Sequence, residues 1–173
     1  MKKLLLSAIV ILSFSAVSFG QNNVSATATA TGTIIAPLTI TETANMNFGN
    51  VAVQALSGGT VALTAAAAPT RTPTGGVTLP NFNKGTISSA AFSVTGQPNY
   101  TYAITLPSSA TTVTSSTNTM TVDTWTSSPT PTGTLAADGT QTLYVGATLN
   151  VGAAQVPGTY VSGTGFTVTV NYN

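Results

Sequence analysis

Gly165-Phe166-Thr167-Val168-Thr169-Val170-Asn171-Tyr172-Asn173 alternates apolar and polar residues from Phe166 to Tyr172. A period of two puts Phe166, Val168, Val170 and Tyr172 on one face of an extended chain, and Thr167, Thr169 and Asn171 on the other. Four of these residues branch at Cβ, which restricts χ1 and disfavours a helix. The stretch is a strand with one apolar face.

The same period recurs through the chain. Val24, Ala26, Ala28, Ala30, Gly32 and Ile34 share one face of a second extended segment, with Ser25, Thr27, Thr29, Thr31 and Thr33 on the other. Pro37 bends it or places it on an edge, and Leu38 and Ile40 carry the alternation on, so an extended N-terminal strand is expected over 24–41. Further short strands are expected around Met46–Val53, at Thr60–Ala66, Ala91–Thr95, Tyr100–Leu106, Thr119–Trp125 and Leu143–Leu149. Gly96-Gln97-Pro98-Asn99 reads as a hairpin turn. Residues 67–89, punctuated by Pro69, Pro73, Gly75, Gly76, Pro80 and Gly85, read as a long loop with one short strand near Val77–Leu79. No amphipathic helix is found. Eight or nine short strands separated by turn residues predict an all-β, single antiparallel β-sandwich.

Composition narrows the function. Of 173 residues, 35 are Thr, only 4% are charged, and there is no His and no Cys. A usual chain carries about 25% charged residues. Without His or Cys there is no Cys/His zinc site, no Ser-His-Asp or Cys-His nucleophile pair and no disulfide framework. A formal charge of +1 gives no basic footprint for nucleic acid. Asp123 and Asp138 could in principle form a glycosidase-like dyad, but both read more simply as turn or surface carboxylates. Lys84 sits in an Asn-Lys-Gly turn rather than in an apolar pocket that would make it a nucleophile. A non-enzymatic protein without catalytic, cofactor or metal residues is expected.

The first twenty residues have the order of a secretory signal peptide. Met1-Lys2-Lys3 is positive, Leu4–Val17 is apolar, and Ser18-Phe19-Gly20 supplies small residues for cleavage before Gln21. The apolar run is shorter than the ~20 residues a membrane span needs. A secreted chain of residues 21–173, exported through the periplasm to the cell surface of a bacterium, is expected, with no span in the mature part. It would keep only Arg71 and Lys84 as cations, and Glu42, Asp123 and Asp138 as acids.

None of those five charges falls in Val24–Ile34 or Gly165–Asn173. Soluble proteins guard free strand edges with Lys, Pro or bulges. Two uncharged terminal strands suggest edges completed by another chain through β-strand addition.

The residues also resemble known families. Gly158-Thr159-Tyr160, followed by the alternating strand with its penultimate Tyr172, looks like the C-terminal strand of chaperone–usher pilins, and most resembles their archaic, spore-coat-U-like branch. Asn47-Phe48-Gly49 resembles the Phe-Gly that follows the first strand there, and Tyr100–Pro107 resembles the central strand. Most of residues 26–173 also resembles a family of small secreted bacterial β-domains of unknown function, through Pro37-Leu38, Phe48-Gly49, Thr95–Asn99 and Val145–Leu149. The pilin resemblance implies an immunoglobulin-like sandwich lacking one strand. It implies a donor strand at Val24, Ala26, Ala28, Ala30, Gly32 and Ile34, and an acceptor groove bordered by Phe166, Val168, Val170 and Tyr172. It further implies self-association into a fimbria-like polymer with a role in surface attachment, and a periplasmic chaperone and outer-membrane usher as partners. The alternative from another class is a monomeric secreted carbohydrate- or surface-binding module, with Trp125 and the tyrosines as a stacking platform.

Overall fold

A computed structural model describes residues 23–173. The expected signal peptide, residues 1–20, lies outside them. The chain divides into two units, Met1–Thr33 and Ile34–Asn173. In the first, the described residues 23–33 belong to no strand.

The second unit contains fifteen strands and, among the described residues, no helix. They are β1 (Thr39–Ala44), β2 (Asn47–Phe48), β3 (Ala52–Val53), β4 (Gly59–Leu63) and β5 (Arg71–Gly75). Next come β6 (Val77–Thr78), β7 (Ile87–Ser88), β8 (Ala90–Thr95), β9 (Thr101–Thr105) and β10 (Thr111–Ser115). The last are β11 (Asn118–Ser128), β12 (Thr132–Thr134), β13 (Thr140–Val151), β14 (Val161–Ser162) and β15 (Thr169–Tyr172). All pairings are antiparallel. The all-β antiparallel fold is sandwich-like, as its alternation predicts.

β13 organises the larger layer, an eight-stranded sheet. One flank pairs with β8 over Thr140–Val145 and then with β4 over Ala147–Val151, while the other pairs with β11. β8 leads to β1, β4 to β5, and β11 to β10 and β14. Leu143, Val145, Ala147, Leu149 and Val151 all point inward and are buried. Gly146 lies where β8 gives way to β4, and a Cβ there would run into the Leu63 carbonyl oxygen.

The core has two parts. Beneath the first half of β13, Val94, Leu143 and Val145 meet Tyr102 from a second layer ordered β12-β9-β15, and Val168, which directly precedes β15. Tyr102 is fully buried, and its hydroxyl donates to Gln141 Oε1 at 2.7 Å. Burial pushes its phenol pKa up. Beneath the second half, Val61, Val122 and Leu149 are covered by Val77 and by residues 46–53, which carry β2 and β3. These two short strands pair only with β7 and β6.

Several local expectations change. The strand expected over 24–41 belongs to a ladder only from Thr39, because residues 23–38 have no strand partner among the described residues. Gly96–Asn99 is not a hairpin turn. β8 pairs with β1 and β13, and β9 with β12 and β15, so the turn carries the chain between layers. Asn99, at φ 62°, supplies the left-handed residue. Residues 67–89 contain β5 and β7 besides the short strand expected near Val77, which is β6, and Pro73 is tolerated because β5 pairs on one side only. The last strand begins at Thr169 rather than Gly165, and residues 163–168 pair with no strand.

Candidate functional site

The sequence points to the two ends of the chain, so their environments come first. Val24, Ala26, Ala28, Ala30, Gly32 and Ile34 are all exposed. Val24 is 85% and Ile34 99% accessible, which for branched apolar side chains is costly in water. The six positions keep their alternation but have no ladder to hold it.

At the other end, the four candidate groove residues do share an inward face. Val168 is 9% exposed, and Phe166, Val170 and Tyr172 pack against the same cluster. β15 pairs with β9 on one side, Thr169 opposite Thr105 and Tyr172 opposite Tyr102. Among the described residues, no strand pairs with its other side. All four serve the existing core, and Phe166 alone of them also faces open space.

That space is a groove of about 1080 Å³. Its floor is the inner face of β10, β11 and β13, through Val113, Met120, Val122 and Leu149. Residues 42–53 form one wall, including Met46 and Phe48, and residues 155–166 the other. Glu42 is the only charged residue among its described lining. Arg71 steadies the first wall by donating to the carbonyls of Phe48 at 2.6 Å and Asn50 at 2.9 Å. Gln155 and Tyr160 steady the second: Gln155 Nε2 donates to Tyr160 Oη at 2.8 Å, and that hydroxyl donates to the Val156 carbonyl at 2.7 Å.

Trp125 stands at this groove because of a bulge. The β11–β13 register shifts between Asp123 and Thr126, and Thr124 takes φ 50°. A β-branched residue in the left-handed region is strained. The extra residue reverses the parity of the strand, so Val122 and Trp125 both face inward while Thr124 is exposed. Trp125 stacks on Phe166 with centroids 4.5 Å apart and donates from Nε1 to the Ser109 carbonyl at 3.2 Å. Asp123, the acid before the bulge, accepts from Asn150 Nδ2 at 2.9 Å and from Thr124 Oγ1 at 3.0 Å. Asp138 accepts from the Thr140 hydroxyl and amide, which hold its pKa below the ordinary carboxylate value. The two acids are engaged with separate neighbours.

Sequence reading missed the groove wall of Met46, Phe48 and residues 155–160. Asn47-Phe48-Gly49, noted for its resemblance, turns the chain at Gly49 (φ 65°), but the triplet does not tell what the turn borders.

Residues 38–172 match the model of a family described as a domain of unknown function, DUF4402. The chain belongs to that family. No curated protein and no solved structure matches it. The DUF4402 match begins at Leu38 and so contains the groove and β15, but none of the six alternating positions between Val24 and Ile34. Among the described residues no helix is long and apolar enough to cross a membrane.

Proposed function

We propose that this DUF4402 protein is a non-enzymatic extracellular structural subunit that assembles into a fimbria-like filament by β-strand complementation and serves surface attachment. One observation carries the reading. A segment with the alternation of a strand, residues 24–34, lies outside the family domain, is exposed at every residue, and has no strand partner among the described residues. Alternate side chains entering pockets, with main-chain hydrogen bonds to an open edge, are what β-strand addition requires. The near-absence of charge supports it, since nothing in the segment repels a sheet edge. Export by a signal peptide, and help from a periplasmic chaperone and an outer-membrane usher, belong to the same proposal.

The test is the state of the exported protein. Unboiled samples on a denaturing gel should show a ladder of multiples that collapses on boiling. A variant lacking residues 21–34 should remain soluble and run as a monomer. Filaments that persist without the segment would refute its role as donor. The competing carbohydrate-binding reading rests on Trp125 lining the groove, and a monomer with measurable glycan affinity would favour it.

A further inference from the structure

Arg71 and Lys84 are the only cations among the described residues, and both are rooted at the same turn. Arg71, on β5, donates from Nη1 to the carbonyls of Phe48 and Asn50, on either side of Gly49. The Lys84 carbonyl accepts from the Asn50 amide at 2.7 Å. Asn50 also donates from Nδ2 to the Asn83 carbonyl at 2.6 Å. A Cβ on Gly49 would run into both the Lys84 carbonyl oxygen and Arg71 Nη1. Five charges are spread over the described chain, and the two positive ones share this turn.

Phe82 stands two residues before Lys84, in the run Asn81-Phe82-Asn83-Lys84, and is 87% exposed. A single exposed apolar residue is ordinary on a protein surface. Here, however, the loop that presents it is held in place. Asn83 takes φ 50° and Gly85 φ 70°, Asn50 ties down the carbonyls of residues 83 and 84, and β7 follows at once and pairs with β2. Asp123 and Asp138 are engaged with Asn150, Thr124 and Thr140 elsewhere in the fold. Glu42 lines the groove, whereas Phe82, Lys84 and Arg71 do not.

We propose that this loop is a binding site for an acidic polysaccharide, one whose sugars carry carboxylates. The ring of Phe82 offers a flat apolar surface to the C–H face of a sugar. Lys84 supplies a point charge on a flexible stem for the carboxylate. The Arg71 guanidinium has five N–H donors, and only those on Nη1 hold the two carbonyls, so it adds a second positive centre with donors to spare. The carboxamides of Asn81 and Asn83, both exposed, donate to and accept from ring hydroxyls. The site goes beyond the assembly reading and does not depend on it, for none of its residues belongs to 24–34 or to β15.

Other anionic partners fit less well. A bilayer would have to take up two asparagine carboxamides together with the Phe82 ring, and unpaired carboxamides are costly in hydrocarbon. A nucleic acid carries closely spaced phosphates along its whole length and calls for a longer run of cations than two. A uronate chain spaces its charges a sugar apart and sets hydroxyls between them, which matches polar, aromatic, polar and cationic side chains in succession. The fixed loop lowers the ordering cost of binding. Two charges give modest affinity at one site, and many copies on one surface multiply it through avidity.

The test titrates short oligogalacturonates, which carry one carboxylate per sugar, into the full-length protein and follows binding by calorimetry. Phe82→Ala should weaken binding about tenfold, the worth of one stacked ring. Lys84→Gln should weaken it about threefold, the worth of one exposed charge pair. Both side chains are exposed, so the melting temperature should not move. Leu56→Ala, which removes a side chain 97% exposed in another loop, should leave binding unchanged. The methyl-esterified oligomer, which has no charge, should bind about tenfold more weakly. Undiminished binding by Phe82→Ala, or an equal loss in Leu56→Ala, would overturn the site. Equal affinity for acid and ester would overturn the acidic ligand. Binding to phosphatidylglycerol vesicles through Phe82, with none to the oligosaccharide, would overturn the glycan in favour of a bilayer. No binding to either would overturn the proposal outright, while leaving the assembly reading untouched.

Discussion

The hydroxyl of Tyr172 donates to the carbonyl of Ala36 at 2.9 Å, tying the last strand to the stretch that precedes the first. The same oxygen accepts from the Gln97 amide at 2.6 Å, and Gln97 Oε1 accepts from the Ala36 amide at 3.2 Å. Three parts of the chain, 136 residues apart at the extremes, are thereby closed into one ring of hydrogen bonds. The ring of Tyr172 meets Tyr100 edge-on, with centroids 5.9 Å apart. Tyr172→Phe keeps that aromatic contact and removes the hydroxyl, leaving the Gln97 amide without its partner. An unmet, partly buried donor costs about 1–3 kcal/mol. The melting temperature should fall by about 2–4 °C for each kcal/mol in a chain of this size. An unchanged melting temperature would mean that water replaces the hydroxyl at no cost.

Gly146 gives a sharper loss. It is buried in mid-strand, and a Cβ there would meet the Leu63 carbonyl oxygen and the amide nitrogen of Ala65. These are backbone atoms and cannot rotate away as a side-chain tip would. Gly146→Ala should therefore separate β4 from β13 at that point and cost about 1–3 kcal/mol as overpacking. A lower midpoint of denaturant unfolding with an unchanged slope would show it. Gly163→Ala is the control, because nothing lies within 4 Å of a Cβ built there.

The strands were legible where one face is buried and the other wet. β13 alternates in sequence from Leu143 to Leu149, and in burial likewise except at the buried Gly146. The Phe166–Tyr172 alternation correctly marks an inward face, but not how many of its residues find a partner. Pairing is a property of two segments, and one segment's pattern cannot report it. The same limit explains Gly96–Asn99, whose residues specify a turn but not which layer receives the next strand. β5 and β12 escaped notice because Pro and Gly read locally as breakers, while a strand paired on one side tolerates them. Trp125 reached the groove through the bulge at Thr124, and alternation counted from Val122 would have turned it to solvent. The groove itself was legible only as an implication of family resemblance, because it is made by what lies between segments.

The pH response should be a broad plateau. With no His and no Cys, no side chain of ordinary pKa titrates between the carboxylates and the tyrosines and lysines. At the acid end, the hydrogen bonds from Thr140 depress the Asp138 pKa in the folded state. A depressed value means that its contribution is present above the unfolded pKa of about 3.9 and is lost as pH falls through the folded value. At the alkaline end, burial raises the Tyr102 pKa. That contribution is present below the unfolded value of about 10 and is lost as pH rises through the folded one. Thermal unfolding from pH 3 to 11 should give a flat maximum between about 5 and 9. Asp138→Asn should make the acid shoulder shallower and leave the alkaline one unchanged. A steep change near neutrality would contradict the assignment.

Trp125 is the single tryptophan and reports on the groove directly. In the isolated domain it is half-buried, with Phe166 on one side and the groove beside it. A strand laid over Val113 and Met120 would remove water from the indole. Assembled full-length protein should therefore emit at shorter wavelength than a variant lacking residues 21–34, and should be quenched less by iodide. Adding a synthetic peptide of residues 24–34 to the truncated variant should move its emission toward that of the assembled form. A scrambled peptide, with the same composition but broken alternation, should not. Trp125→Phe keeps an aromatic ring on Phe166 and should still polymerise, so loss of the signal can be separated from loss of assembly. Identical emission from truncated and assembled protein would show that nothing enters the groove on assembly.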